Sequence, residues 1–174
     1  MPEPSTNFDS GAYCSAGSGV SAVNGADVLT CIFSADGSKL LAIDGEKDSK
    51  VSLSADTTNF NSKDSKGAWQ INRPSTKSWE MSLETVQVKD SEANKEIRKA
   101  FEDGTALCIK QVYDDGSFTP RGGGSAFVTK YEDDSPSDDV ISISISLTGS
   151  GKWTWFDLDT EAAGKAITKP SNRA

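Results

Sequence analysis

The chain has 174 residues, 35% of them hydrophobic, and 26 Asp and Glu against 18 Lys and Arg give a net charge of −8. That length fits one domain, and that charge argues against a protein built to grip phosphates, which needs Lys and Arg contacts. Histidine is absent, which removes the commonest general base and metal ligand and excludes Ser–His and Cys–His nucleophile pairs.

Met1 to Gly25 is rich in Ser, Gly, Asn and Ala and reads as a flexible N-terminal segment. It holds no basic stretch followed by an apolar one, and the chain has no apolar run near the roughly 18 residues of a membrane span. The expectation is a protein made in a cytoplasm and soluble there. A first strand is expected over 26–33, a turn at Asp36-Gly37, a short apolar run over 40–43, a turn at Asp44-Gly45 and a strand over 50–55. Residues 56–76 show no convincing period. They carry Phe60, Trp69 and Ile71 among polar residues, with Lys63, Asp64, Lys66 and Arg73. Two readings stay open: a β-hairpin packed on its own domain, or an arm that docks on a neighbour.

A strand over 77–88 follows. Its apolar phase slips from Trp79, Met81 and Leu83 to Val86 and Val88, the expected mark of a bulge or bend. The one clear helix is expected over 91–103, capped by Asp90 or Ser91, with Ala93, Ile97, Ala100 and Phe101 on one stripe and Gly104 ending it. A strand over 105–113, a turn at 114–117, and a Pro120 unsuited to a central strand come next. Gly122-Gly123-Gly124 reads as flexible and lacks the context of a phosphate loop. A strand over 125–131, an acidic loop over 132–139 and a strand over 140–148 follow, and Gly149 to Gly151 is expected to break the chain. The aromatic tail over 152–174 then has little sequence left to bury it. The architecture expected is mostly β, an antiparallel β-sandwich or half-barrel with one flanking α-helix, over 26–151.

The most informative stretch is Asp139 to Thr148, D-V-I-S-I-S-I-S-L-T, in which isoleucine alternates with serine at period two. Val51 to Asp56 and Lys77 to Glu84 repeat the pattern with acids added. One face should be core: Val51, Leu53, Trp79, Met81, Leu83, Ile141, Ile143 and Ile145. The other should be a smooth, acidic, hydroxyl-rich wall: Ser52, Ser54, Glu80, Ser82, Glu84, Ser142, Ser144 and Ser146.

Nothing in the sequence points to catalysis or to a cofactor. The acids Asp133-Asp134 and Asp138-Asp139 lack calcium-loop spacing and read as solvated surface. Cys14, Cys31 and Cys108 are odd in number, and Cys31 and Cys108 sit in apolar runs as small buried hydrophobes.

The run L-S-A-D-T-T-N-F-N-S-K-D-S-K-G-A-W (53–69) resembles the strand and loop of major tail tube proteins of long-tailed bacteriophages. So do K-S-W-E-M-S-L-E (77–84), I-R-K-A-F-E-D-G-T (97–105), G-S-A-F-V-T (124–129) and the closing D-D-V-I-S-I-S-I-S-L-T-G-S-G (138–151), in that order. The resemblance implies a virion protein, without enzymatic activity or cofactor, that assembles with itself into hexameric rings stacked as a tube. Related tube proteins serve contractile tails and type VI secretion. It further implies one inner β-barrel shared by six subunits and a loop over 56–76 that reaches the adjacent ring. The polar faces would line the lumen, through which DNA passes without specific binding, and tape measure, terminator and tip proteins would be partners. No membrane is involved, and synthesis would be in the bacterial host. The rival from another class is a monomeric β-sandwich binding module, with Trp69, Trp153 and Trp155 stacking on a sugar.

Overall fold

A computed structural model describes residues 22–60, 70–158 and 170–173, and among these are seven strands, one α-helix and a single 3-10 turn at Gly25–Asp27. The strands are β1 (Val28–Phe33), β2 (Leu40–Ala42), β3 (Glu46–Phe60), β4 (Ile71–Val86), β5 (Leu107–Tyr113), β6 (Pro120–Asp134) and β7 (Ser142–Trp155), with α1 (Glu92–Asp103) between β4 and β5. They form a single antiparallel sheet in the order β2-β1-β5-β6-β7-β4-β3.

A flat sheet would hold β2 and β4 five strand spacings apart, roughly 24 Å. Instead, Leu41 of β2, Ile32 of β1 and Ile43 share one buried cluster with Trp79, Met81 and Leu83 of β4. The sheet therefore coils back on itself, and its two halves bury a common core. Glu46 ties the ends together. Its carboxylate accepts from the Thr30 amide (2.9 Å) and hydroxyl (2.7 Å), linking the first residue of β3 to β1. The expected sandwich or half-barrel is thus one bent sheet.

Bulges supply the bend. The register shifts between Glu46 and Asp48 and between Ala55 and Thr57 in β3, between Gln111 and Val112 in β5, and between Gly123 and Ser125 and between Val128 and Lys130 in β6. The irregularity expected near Val86 is on the partner strand: Glu46 and Asp48 of β3 lie opposite the adjacent residues Thr85 and Glu84, so the extra residue is Lys47. The phase of β4 itself does not slip, because its register with β7 runs unbroken from Glu80 to Val86 and Thr85 takes the buried position after Leu83. Nor are Gly122 to Gly124 flexible. They lie inside β6 because the Trp79 and Trp153 rings and the Ile109 carbonyl approach where side chains would stand. The glycines at 149–151 do not end β7 either. Gly149 lies under the Trp79 indole, whose Nε1 donates to the Gly151 carbonyl at 3.1 Å. The strand continues to Trp155, and Trp153 is 4% exposed, packed edge-on against Trp79 and Trp155. Pro120 opens β6 opposite a register shift at Val112, a position where its missing N–H costs little.

Helix α1 starts at Ser91, whose hydroxyl accepts from the Asn94 amide and donates to Asp44 at 2.9 Å. It ends at Gly104, whose φ of 63° is left-handed. Ala93, Ile97 and Ala100 face the core as expected, but Phe101 is 47% exposed and Asn94 takes the fourth buried position. Because Ser91 both caps the helix and ties it to the β2–β3 turn, Ser91→Ala should lower stability by about 1–2 kcal/mol. Urea titration of the variant checks this.

The outer edge of β2 is covered by the C-terminal residues. Asn172 brackets Ala42, accepting from its N–H (2.8 Å) and donating to its C=O (2.9 Å), and the Ser171 amide donates to the Leu40 carbonyl at 2.7 Å. A sheet edge that could pair with a foreign strand is occupied by the protein's own chain.

Candidate functional site

Four long neighbours, β6-β7-β4-β3, form a ribbon with two unlike faces. Trp79, Met81, Leu83, Ile143, Ile145 and Leu147 point to the core and are nearly inaccessible. The intervening residues point outward and align in rows across the ribbon. Asp48, Glu84, Ser144 and Glu132 form one row; Lys50, Ser82, Ser146 and Lys130 the next; Ser52, Glu80, Thr148 and Phe127 a third. The structure therefore brings Ser52, Ser54, Glu80, Ser82, Glu84, Ser144 and Ser146 onto one face. Ser142, opposite Val86 and Asp134, lies at its end.

The core half of the alternation holds with exceptions. Leu53 is 51% exposed and Ile141 also lies at the surface, while Val51 is half-buried. The reason is position: β3 past Val51 runs beyond the packed helix and second half-sheet, and Ile141 precedes β7. The charge of the wall also differs from expectation. Five acids, Asp48, Glu80, Glu84, Glu132 and, at its end, Asp134, share it with Lys50 and Lys130, so it is acidic but not free of bases. Lys130 meets Glu132 at 2.9 Å along the same strand. Glu132 was missed because 132–139 reads as a loop, and Lys50 and Lys130, both inside expected strands, because only the register across four strands puts them in one row. Only the hydroxyl-rich strands give a clean alternation.

The segment over 56–76 is not without regular structure. Asp56 to Phe60 and Ile71 to Thr76 belong to β3 and β4, which pair out to Phe60 opposite Ile71, with Arg73 opposite Thr58. The reading of a hairpin packed on its own domain does not hold, since the hairpin is regular but its described residues beyond Val51 and before Trp79 are exposed. Every described residue from Ser52 to Phe60 and from Gln70 to Ser78 is exposed, with Phe60 at 55% and Ile71 at 50%. Lys63, Asp64, Lys66 and Trp69 lie outside the described residues.

Of the remaining candidates, Cys31 is buried, and burial pushes its thiol up to about 12, so it is inert. Cys108 is on the exposed side of β5, contrary to expectation. The aromatic residues proposed to stack on a sugar do not form a platform. Trp153 is buried, Trp155 carries the Arg121 guanidinium over its ring at 5.2 Å, and Trp69 is outside the described residues.

A seven-stranded bent sheet, one helix, a two-faced ribbon and a projecting hairpin are the features to match. The phage tail tube protein family matches residues 22–155. This chain belongs to that family. Its fold is similar to that in a structure of the tail of an empty gene transfer agent particle, refined helically with C6 symmetry. The likeness has 20% identity and a TM-score of 0.67 over 77% of this chain and 98% of that one. It is also similar to the SPP1 tail tube, with 16% identity and a TM-score of 0.63 over 77% and 80% of the chains. The sheath–tube complex of an extracellular contractile injection system shares the fold at 13% identity and a TM-score of 0.55, over 87% and 99%. No curated protein matches the chain.

Proposed function

We propose that this tail tube family member is a structural virion subunit that assembles with itself into stacked rings, hexameric in line with the C6 tail it resembles in fold. The ribbon β6-β7-β4-β3 would be its share of the inner wall. The observation that carries this reading is the ribbon itself. One face is core, the other is a wall of serines and acids, and both flanking edges are open. β3 has no strand beyond it, and β6 past Ala126 has no partner on its β5 side among the described residues. A ribbon of four antiparallel strands repeats around a ring with every junction antiparallel, because its first and last strands run in opposite directions. Closure hides the open edges. Rings then stack head to tail, a contact that does not close and so yields a filament.

In this reading Phe60, Ile71 and Arg73, together with Lys63, Asp64, Lys66 and Trp69, belong to the contact with the adjacent ring. A two-stranded ribbon exposed on all sides is marginal in water and gains from a partner surface. The outward wall faces the lumen. Tape measure, terminator and tip proteins would be further partners. The subunit would be made in the host cytoplasm and reside in the phage tail. DNA carries a negative charge about every 1.7 Å of axis, so a wall with an excess of acids lets it slide.

Negative-stain microscopy and sedimentation of the concentrated protein test the assembly. Rings or tubes are expected, and a monomer at millimolar concentration would overturn the reading. Glu80→Lys with Glu84→Lys tests the wall. Both side chains are exposed, so each change should alter stability by no more than about 0.5 kcal/mol. Repeated in every subunit, they would turn the wall polybasic, and each phosphate contact would add salt-dependent retention. Tails of normal length with infectivity per particle reduced at least tenfold are expected. Unchanged infectivity would place these acids away from the DNA.

A further inference from the structure

Resting on the tube reading, we propose that neighbouring subunits join β3 of one copy to β6 of the next with a stagger of one pleat, so that Lys50 of one copy lies opposite Glu132 of the next. Three observations lead there.

The first is charge along the two open edges. The outward residues of β3 are Asp48, Lys50, Ser52 and Ser54, and those of β6 are Asp134, Glu132 and Lys130. Within one ribbon Lys50 and Lys130 belong to the same row, as do Asp48 and Glu132. A flush ring, in which each row simply continues into the next subunit, would set Lys50 against Lys130 and Asp48 against Glu132. Like charges directly opposite on neighbouring strands are destabilising. Face parity forbids a one-residue shift, which would turn every outward side chain inward. The smallest allowed correction is two residues, about 7 Å along the strand.

The second observation sets its direction. β3 starts at Glu46 and runs to Phe60, whereas the open part of β6 is only Phe127 to Asp134. Sliding β6 toward the β3 tip places Asp134, Glu132 and Lys130 opposite Asp48, Lys50 and Ser52, all within strand. Sliding it the other way pushes Asp134 past Glu46 into the Asp44-Gly45 turn and lays Glu132 on the irregular start of β3, where the register shifts between Glu46 and Asp48 and Glu46 lies opposite the buried Thr85 with its carboxylate on Thr30.

The third is what the favoured slide creates. Glu132 holds Lys130 of its own strand at 2.9 Å and would receive Lys50 of the next copy on its other side. Lys130 would sit beside Ser52, a small side chain that leaves it within reach of Glu80, the cross-strand partner of Ser52. One like pair, Asp134 with Asp48, remains at the end of the seam. A stagger repeated at each junction is also what tilted strands in a closed barrel require.

Paired cysteines read the register directly, because facing Cβ atoms are about 4.5–5.5 Å apart whereas a pleat of offset adds about 7 Å. In a Cys14→Ser, Cys108→Ser background, mild oxidation of assembled Lys50→Cys/Glu132→Cys protein should give a ladder of covalent oligomers up to the ring. Lys50→Cys/Lys130→Cys and Asp48→Cys/Lys130→Cys should stay monomeric on a denaturing gel. A ladder from either of the latter, or none from the first, overturns the proposed seam while leaving the tube reading intact. Failure of the unmutated chain to form rings overturns both. Independently, Lys50→Glu should reduce ring yield at least tenfold at low salt, and adding Glu132→Lys should restore it. No rescue counts against the pair.

Discussion

Removing Asn59 to Asn72 and closing Thr58 onto Arg73 through an Asn-Gly turn should leave a folded monomer that no longer forms tubes. Thr58 and Arg73 are paired across the hairpin and both carry the backbone N–H that the turn needs, which Pro74 lacks, so a two-residue turn at that point keeps the register. Every described residue removed is exposed and contributes no core area. Surface changes of that kind usually stay within about 0.5 kcal/mol each, and a kilocalorie moves the melting point of a chain this size by about 2–4 °C. The melting point should therefore shift by only a few degrees. Assembly should respond far more strongly, because the deletion takes Phe60 and Ile71 from the contact with the adjacent ring. Rings without tubes, or monomers alone, are the expected products in sedimentation and negative stain. Normal tubes from the shortened chain would remove the hairpin from the stacking contact.

Trp79→Ala should be the most destabilising single change at the ribbon's core face. Trp79 is 2% exposed, donates to the Gly151 carbonyl and lies edge-on to Trp153 at 4.8 Å between centroids. Truncating a buried Trp costs about 3–5 kcal/mol, which at this chain length is a fall of roughly 6–20 °C in melting point. Its indole occupies the space over Gly149, where an added Cβ would come within 2.2 Å of the ring. Gly149→Val alone should therefore cost about 1–3 kcal/mol by overpacking. Combined with Trp79→Ala, the valine enters vacated space, and the double variant should be at least about 1 kcal/mol more stable than the sum of the singles requires. Denaturant unfolding in the hairpin-shortened, monomeric background measures this. Strict additivity would mean that the indole does not lie on Gly149.

What the sequence disclosed and what it hid divide along a physical line. The two-faced ribbon was legible because Ile143, Ile145 and Leu147 alternate with hydroxyls, and because Trp79, Met81 and Leu83 alternate with Glu80, Ser82 and Glu84. Side-chain direction in a strand is a local property of the pleat. The helix was legible from its cap and its glycine stop. The outer hairpin was not, because Asp56 to Asn59 is polar on both faces, and a strand exposed on both sides carries no period to read. Gly122 to Gly124 misled for the opposite reason. Only the rings of Trp79 and Trp153, brought over them by β4 and β7, show that these glycines make room for aromatics. The lysine row on the wall was hidden as well, since Lys50 and Lys130 meet in one row only through a register spanning four strands. The stranded aromatics after Gly151 found their burial in the same long-range way, by extending β7 across the Trp79 indole.

A helical reconstruction of the assembled protein by cryo-electron microscopy tests the central claim most directly. The expected result is an inner wall made of β3, β4, β6 and β7, with Glu80, Ser82, Glu84, Ser144 and Ser146 facing the axis and α1 on the outside. A lumen lined by α1 or by β1, β2 and β5, with the serine face turned outward, would contradict it.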